Sequence, residues 1–218
     1  MNSNWESIIT LTSITFPSNL TSIGQYAFRA CNGLTVVSIP PSVTTIGNST
    51  FDNCNGMTSV SIPSSVTSIG DGAFRFCTGL INVDANNLNY SSTEGVLFNK
   101  AQTALIQCPN SKTGSFTIPS TAIFIEQYAF GVCDLTGVTI PTSVTTIKDW
   151  AFYGCDNMIS ISIPSSVTSI GYAAFLFFNG SINVDSNNLN YSSLDGVLLN
   201  KNQTLLIQCP NSKTGTYN

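Results

Sequence analysis

Seven cysteines carry most of this chain's potential for chemistry, because the sequence contains no histidine. Cysteine thiolates act as nucleophiles, form disulfides and bind metals. Histidine is the commonest general base and the commonest zinc ligand, and without it no Ser–His or Cys–His nucleophile can form. The residue types therefore predict a protein with no catalytic residues, no metal site and no cofactor.

The cysteine spacing indicates a structural role. Five of them recur four residues after the first member of an Ala-Phe pair or its equivalent, and these are Cys31, Cys54, Cys77, Cys133 and Cys155. Such spacings are far from the C-x-x-C pairs of metal sites. Phe178 takes this place in the last repeat, so an apolar group serves there too. We interpret the five, and the separate pair Cys108 and Cys209, as buried packing residues. Disulfides between adjacent repeats are the alternative.

One acidic motif invites a calcium interpretation. Asp84 and Asn86 have the spacing that opens a calcium-binding loop. The glycine at the sixth position and the glutamate at the twelfth are both missing. The sequence therefore excludes an EF-hand site.

Composition narrows the classes of partner. Only 8% of the residues are charged, and the formal net charge is −4. There is no basic face to neutralise phosphates, so nucleic acid is not an expected partner. No apolar run approaches the roughly 18 residues that would span a bilayer. The opening MNSNWESIITLTSI lacks the basic and apolar regions of a signal peptide.

Internal repeats dominate the sequence. The decamer SIPSSVTSIG occurs unchanged at 61–70 and 162–171, and residues 84–114 match 185–215 at the same offset of 101. Prolines that follow an apolar residue mark a shorter period of 22 or 23 residues, and they are Pro17, Pro40, Pro63, Pro119, Pro141 and Pro164. The chain is thus two copies of one block, each with three short repeats and one longer unit. Short units of this kind must stack to share a core.

Each short repeat predicts one coil of a parallel stack. The V-S-I-P segment alternates apolar and polar residues as a strand does, and the proline closes it. In the decamer we expect Ile62, Val66 and Ile69 to point inward and Gly70 to form the corner. Phe74 should fill the centre of the coil and contact the aligned phenylalanines of neighbouring coils. Adjacent strands would lie about 4.8 Å apart.

The longer unit contains a predicted β-hairpin. Residues 95–98 and 104–106 are apolar runs that flank the polar turn 99–102. The second copy repeats this at 196–199 and 205–207. We expect the hairpin to dock on the flank of the stack and to bury Phe98 and Ile106.

Together these positions spell L-x-x-V-x-I-P-x-S-V-T-x-I-G-x-x-A-F-x-x-C, in fullest form at 57–77. This pattern resembles the BspA-like leucine-rich repeats, and G-V-L-F-N-K resembles the element interspersed between them. The resemblance runs from about Leu11 to the end. It implies a mainly β fold, a right-handed leucine-rich-repeat solenoid with parallel strands on its concave face and two inserted β-hairpins. Residues 1–218 would form a single solenoid of two duplicated blocks, about 11–112 and 113–215.

The resemblance also implies a function class, since the family acts mostly on microbial surfaces in adhesion and in binding host or partner molecules. It supplies no catalytic residues. The expected function is a non-enzymatic interaction or adhesion module that binds protein or glycan through exposed solenoid strands. The expected location is extracellular or on the cell surface.

The candidate binding residues alternate with the core positions along the strands. They are Ser38, Ser59, Ser61, Asn82, Asp84, Thr139, Ser160, Ser162, Asn183 and Asp185. No aromatic or arginine anchor of the kind that dominates interfaces is among them. A solvated polar face is therefore the alternative. The Asn-Asp pairs beside the hairpins are the best candidates within the row.

The ends of the sequence suggest a second hypothesis. Residues 11–17 already form a complete strand pattern, preceded by only Trp5-Glu6 as a polar cap, and the last copy stops at SKTGTYN. A solenoid without caps exposes apolar terminal coils. End-to-end self-association into filaments is therefore the alternative function.

Overall fold

A computed structural model describes residues 11–215. The Trp5-Glu6 pair lies outside these residues. The chain divides into two compact units, residues 1–100 and 101–218. Within residues 11–215 all regular structure is strand, with no helix, and both units have the β-solenoid fold. No part of this range therefore forms a long apolar helix able to cross a bilayer.

The first unit contains two parallel ladders and an antiparallel pair. The short return-arm strands pair in the order β1-β3-β5, and they are β1 (Ser22–Ile23), β3 (Thr45–Ile46) and β5 (Ser68–Ile69). The face strands pair in the order β2-β4-β6, and they are β2 (Val36–Ser38), β4 (Ser59–Ile62) and β6 (Leu80–Val83). The antiparallel pair is β7 (Tyr90–Thr93) with β8 (Val96–Asn99).

The second unit repeats this plan. Its parallel return-arm strands are β9 (Ala104–Gln107), β11 (Phe124–Ile125), β13 (Thr146–Ile147) and β15 (Ser169–Ile170). Its face strands form two parallel pairs, β10 (Gly114–Thr117) with β12 (Leu135–Thr139) and β14 (Ser160–Ile163) with β16 (Ser181–Val184). Three antiparallel strands follow, β17 (Tyr191–Leu194), β18 (Val197–Asn200) and β19 (Leu206–Gln208).

A column of stacked phenylalanines fills the centre of each unit, as the Ala-Phe repeat predicted. The rings of Phe51 and Phe74 are 5.6 Å apart and nearly parallel. In the second unit Phe152 stacks on Phe130 at 5.0 Å and on Phe175 at 5.3 Å. All five rings are buried. Identical spacing along the sequence becomes direct contact because each coil places the residue at the same point of the turn.

One predicted core residue is less buried than expected. Ile62 and Val66 are fully buried, but Ile69 is only partly buried, as is its copy Ile170. Each lies on the last return-arm strand of its ladder, β5 or β15, so no further isoleucine packs over it. The backbone N–H of each residue instead donates to a tyrosine hydroxyl of the insert, at 2.9 Å in both copies.

The corner glycine is required by close approach between coils. A Cβ built on Gly70 would lie 2.5 Å from the backbone nitrogen of Asn48. The next turn brings the chain into the left-handed region twice per coil, at the residue before Ala-Phe and two residues after the phenylalanine. Examples are Trp150 (φ 52°) and Gly154 (φ 63°). These turns let the N–H of Phe152 donate to the carbonyl of Ala174 in the next coil.

The inserted segment has one more strand than the predicted hairpin. In the second unit β17, β18 and β19 form a three-stranded antiparallel sheet. Both Asp195 and Gly196 have positive φ, as the tight turn between β17 and β18 demands. The prediction missed the first strand, because its Y-S-S-L sequence lacks the alternation that identifies a strand. Phe98 is buried as predicted, whereas Ile106 is only partly buried.

Candidate interaction surfaces

The predicted binding residues of the first unit lie on the exposed side of the face strands. Ser38 pairs in register with Ser61, and Ser61 with Asn82, so the three form one row across the ladder. All three are exposed, while the residue before each of them on its strand (Val37, Val60 or Ile81) is buried. Ser59 lies in the neighbouring row between Val36 and Leu80, which are 55% and 46% exposed. Aliphatic side chains therefore interrupt the hydroxyl row.

The second unit brings together only part of its predicted set. Ser162 pairs with Asn183 and Ser160 with Ser181, all on the exposed side of β14 and β16. Thr139 instead pairs with Thr117 in the separate β10-β12 ladder. We call these exposed residues of the face strands, in both units, the strand row.

The aspartates at the end of the strand row stabilise their own turns. A carboxylate oxygen of Asp84 accepts the N–H of Asn86 at 2.8 Å, and Asp185 accepts that of Asn187 at the same distance. This is the local bond by which aspartate closes a turn. Neither aspartate lies in a group of three or more potential metal ligands, and no such group occurs within residues 11–215.

A second surface, at the turn that follows each return arm, differs between the units. In the first unit it carries charges: Asp52 is buried, accepts two hydrogen bonds from Arg75 at 2.9 and 2.6 Å, and contacts Arg29 at 3.2 Å. The Arg29 guanidinium also lies 5.6 Å from the centre of the Tyr26 ring. This network joins three coils.

In the second unit the corresponding turn carries an aromatic cluster. We call it the aromatic turn, and its members are Tyr128, Trp150, Tyr153, Tyr172 and Phe177. Tyr128 and Trp150 stack at 5.1 Å, and Trp150 meets Tyr172 edge-on at 5.7 Å. Tyr153 meets Phe177 edge-on at 5.5 Å. Sequence reasoning missed this surface, although an aromatic residue just before Ala-Phe in Y-A-F and W-A-F was the available signal.

Six of the seven cysteines are buried packing residues, as predicted, and several of their thiols donate hydrogen bonds, but Cys209, predicted to be buried like Cys108, is only partly buried. The thiols of Cys77 and Cys155 donate to the carbonyls of Phe51 and Phe130 in the preceding coil, at 2.8 and 3.0 Å. All seven cysteines are free thiols, and the Cys108 and Cys133 sulfurs lie 3.4 Å apart. Burial raises the pKa of Cys77, Cys108 and Cys155 far above the ordinary thiol value. These groups stay protonated at neutral pH and are poor nucleophiles.

Thiol labelling should follow this burial. We expect a disulfide-exchange reagent at pH 8 to modify about one thiol per native chain quickly, because only Cys209 is partly exposed. All seven thiols should react in denaturant. Absorbance of the released thiolate measures both phases, and Cys209→Ser should abolish the fast one. Fewer than seven thiols in denaturant would contradict the free-thiol arrangement.

Comparison with known proteins places these features in a family. A model described as the BspA type leucine rich repeat region matches residues 2–114 and 107–213, in six copies. No curated protein sequence matches the chain.

Solved bacterial structures share the fold. A leucine-rich repeat protein from Eubacterium ventriosum is 30% identical with a TM-score of 0.57, and the match covers 78% of this chain and 60% of that one. A leucine rich cell surface protein from Faecalibacterium prausnitzii is 33% identical with a TM-score of 0.52, covering 88% and 50%. The pneumococcal vaccine antigen PcpA is 22% identical with a TM-score of 0.58, covering 78% and 55%. The matched region is therefore 50 to 60% of each of these proteins.

Proposed function

This chain belongs to the BspA-type leucine-rich repeat family, and from that premise we propose that it is a non-catalytic module that binds protein partners outside a bacterial cell or on its surface. The observation that carries the proposal is the build of the strand row. Buried aliphatic residues such as Val37, Val60 and Ile81 fix the strands from within, so the exposed residues between them form a rigid, regular surface. Rigid elements hold binding groups with little loss of conformational entropy.

Two further points support this proposal. The sequence has no histidine, which is the commonest general base. The structural relatives include a cell surface protein of Faecalibacterium prausnitzii, which favours the surface location. Glycan remains the alternative ligand class, because hydroxyl and amide side chains can bond sugars as well as peptides.

Parallel arrays of purified cell-surface proteins and of glycans test this function. We expect the labelled chain to bind one or more proteins with micromolar or better affinity. Ser162→Arg and Asn183→Arg place bulk and charge on the strand row and should abolish that binding. Asn202→Arg, in the exposed turn between β18 and β19 rather than on a face strand, is the matched control. Binding to glycans alone would replace protein by glycan as the ligand, and binding to neither array would contradict the proposed function.

Self-association is the second candidate, and an exposed leucine on β19 favours it. Leu206 is 49% exposed, whereas Leu105 at the same position of β9 is buried beside β11. The molar mass from light scattering on the array sample, over a range of dilutions, distinguishes a partner-binding module from a self-associating filament protein. A mass that stays at one chain excludes filament assembly, and a mass that rises with concentration supports it.

A further inference from the structure

We propose that the aromatic turn of the second unit binds an arginine-bearing, cationic segment of a partner protein. This inference rests on the proposed function, and it adds a second contact surface and the chemistry of what binds there. Four observations carry it: the ring geometry, the backbone conformation beneath the rings, the local charge, and an internal precedent in the first unit.

The rings form a preorganised surface. Tyr128 and Trp150 present stacked rings, while Tyr172 and Phe177 are 75% and 48% exposed. Ring-to-ring contacts fix their orientation before any partner arrives. Tyrosine and tryptophan are the residues most enriched at interface hot spots, because they offer large contact areas at small entropic cost.

The backbone under the rings is unfavourable for large side chains. Tyr128 and Trp150 have φ of 57° and 52°, in the left-handed region that favours glycine and asparagine. The first unit places Tyr26, Ser49 and Gly72 at the same step of the coil. The fold thus accepts small residues there. The aromatic side chains of the second unit are better explained by a contact than by a demand of the turn.

Charge selects a cationic partner. Residues 126–177 contain four acidic side chains and one lysine, a net charge of −3. The single lysine, Lys148, forms an ion pair with Glu126. Asp149 directly precedes Trp150, and Asp156 follows the turn. The corresponding residues 24–76 of the first unit carry two arginines and two aspartates and are neutral overall.

The first unit already shows how such a turn holds a guanidinium. Arg29 lies over the ring of Tyr26 and contacts the carboxylate of Asp52. In the second unit Tyr128 takes the place of Tyr26, Gly131 that of Arg29 and Tyr153 that of Asp52, so the carboxylate beside the rings is that of Asp149 instead. The two arginines of the chain are both in the first unit. A partner's arginine would supply the missing group, stacking on a ring and pairing with a carboxylate.

A shallow depression of about 190 Å³ adjoins the turn, since its lining includes Gln127, Asp149 and Gly171, the residues directly before Tyr128, Trp150 and Tyr172. Lys148 also lines it, with its charge paired to Glu126. One carboxylate oxygen of Asp149 accepts the N–H of Tyr172 at 2.7 Å, which fixes the carboxylate at the edge of the rings. Carboxylate and hydroxyl oxygens are acceptors for the five N–H donors of arginine.

Tryptophan fluorescence tests this directly. The chain has two tryptophans, Trp5 and Trp150. In a Trp5→Phe background, emission reports on the aromatic turn alone. The probes are a synthetic peptide of alternating glycine and arginine and the same peptide with neutral citrulline in place of arginine. We expect saturable binding of the arginine peptide, at least about tenfold weaker binding of the citrulline peptide, and weakening by added salt.

Variants locate the site. Tyr172→Ala and Phe177→Ala remove exposed side chains, so both should fold, and each should weaken the arginine peptide about tenfold. Asp149→Asn retains an acceptor for the Tyr172 N–H and should weaken it several-fold by charge alone. Tyr26→Ala changes the first unit's counterpart of Tyr128 and should have no effect. Circular dichroism confirms that each variant is folded.

No saturation by millimolar arginine peptide would overturn the proposal, as would equal binding of the citrulline peptide or equal affinity of Tyr172→Ala and the parent. A neutral oligosaccharide that alters Trp150 emission where the arginine peptide does not would also overturn it. Peptide binding that Ser162→Arg abolishes and Tyr172→Ala leaves intact would reject the aromatic turn while the proposed function stands. Empty protein and glycan arrays would instead reject the proposed function.

Discussion

Phe152→Ala should lower the free energy of unfolding by about 3–5 kcal/mol. Phe152 is fully buried and lies between two stacked rings, with centroids 5.0 Å from Phe130 and 5.3 Å from Phe175. Truncation leaves a cavity that the neighbouring rings cannot fill, because each is held by its own coil. It also removes two aromatic contacts, each worth about 0.5–1.5 kcal/mol beyond the buried area.

The loss should extend beyond one coil. In a solenoid most stabilisation comes from contacts between neighbouring repeats, and Phe152 contacts both neighbours. The urea midpoint, followed by far-UV circular dichroism, should fall by roughly 1.5–2.5 M for a urea slope of about 2 kcal/mol/M. A smaller slope in the variant would show that its coils have begun to unfold separately.

Phe177→Ala is the matched control for this change. It removes the same side chain two residues after Phe175, but Phe177 is 48% exposed, and among the aromatic rings of residues 11–215 it contacts only the edge of the Tyr153 ring. We expect a loss of about 1 kcal/mol or less. If the two variants unfolded at the same urea concentration, the phenylalanine column would not be the core of the second unit.

The sequence was enough to predict the stack, because the repeat carries the same information several times. Ala-Phe pairs spaced by 22 or 23 residues predicted the aromatic column, and the alternation along V-S-I-P predicted which side of each face strand is buried. Both predictions are confirmed. One error, at Ile69, lay where a residue's setting changes at the end of a ladder, and the others were the burial of Ile106 and of Cys209 and the first strand of the insert.

The surfaces were less accessible from sequence for a physical reason. Trp150 and Tyr128 are 22 positions apart, and only the stacking of coils brings their rings to 5.1 Å. A search for residues that recur in every repeat overlooks the position before Ala-Phe, since its residue type changes from coil to coil. The strand row was easier to predict because it follows from alternation alone. Whether it binds a partner stays a prediction.

Asn87 and Asn188 show the converse problem, since a buried polar residue resembles a surface residue in sequence. Both lie in identical N-N-L-N-Y segments and are fully buried. The Asn188 side-chain amide donates to the carbonyls of Pro164 and Val167, at 2.9 Å each. Its oxygen accepts the N–H groups of Asn190 and Tyr191, at 2.8 Å each. One side chain thus anchors the insert on the preceding coil.

Asn188→Ala should therefore lower the free energy of unfolding by about 2–4 kcal/mol, because it leaves buried backbone groups without partners. The effect should reach β15. Anchoring by Asn188 positions Tyr191, whose hydroxyl accepts the N–H of Ile170 at 2.9 Å. Amide hydrogen exchange at Ile170 should accelerate more than the global loss explains. Asn187→Ala, which removes an exposed side chain next to it, should change stability by less than about 0.5 kcal/mol.

Asn188→Asp tests the two hydrogen bonds that the side-chain amide donates separately from the two that its oxygen accepts. The carboxylate keeps the accepting oxygen but faces the carbonyls of Pro164 and Val167, so burial and carbonyl repulsion raise its pKa in the folded state. A raised folded pKa means that the variant binds its proton more tightly when folded. Its stability should be greatest below the unfolded pKa of about 3.9 and should fall as pH rises through the folded value. Urea midpoints from pH 4 to pH 8, compared with the parent, measure this slope. A variant whose deficit did not grow with pH would show that Asn188 does not donate to these two carbonyls in solution.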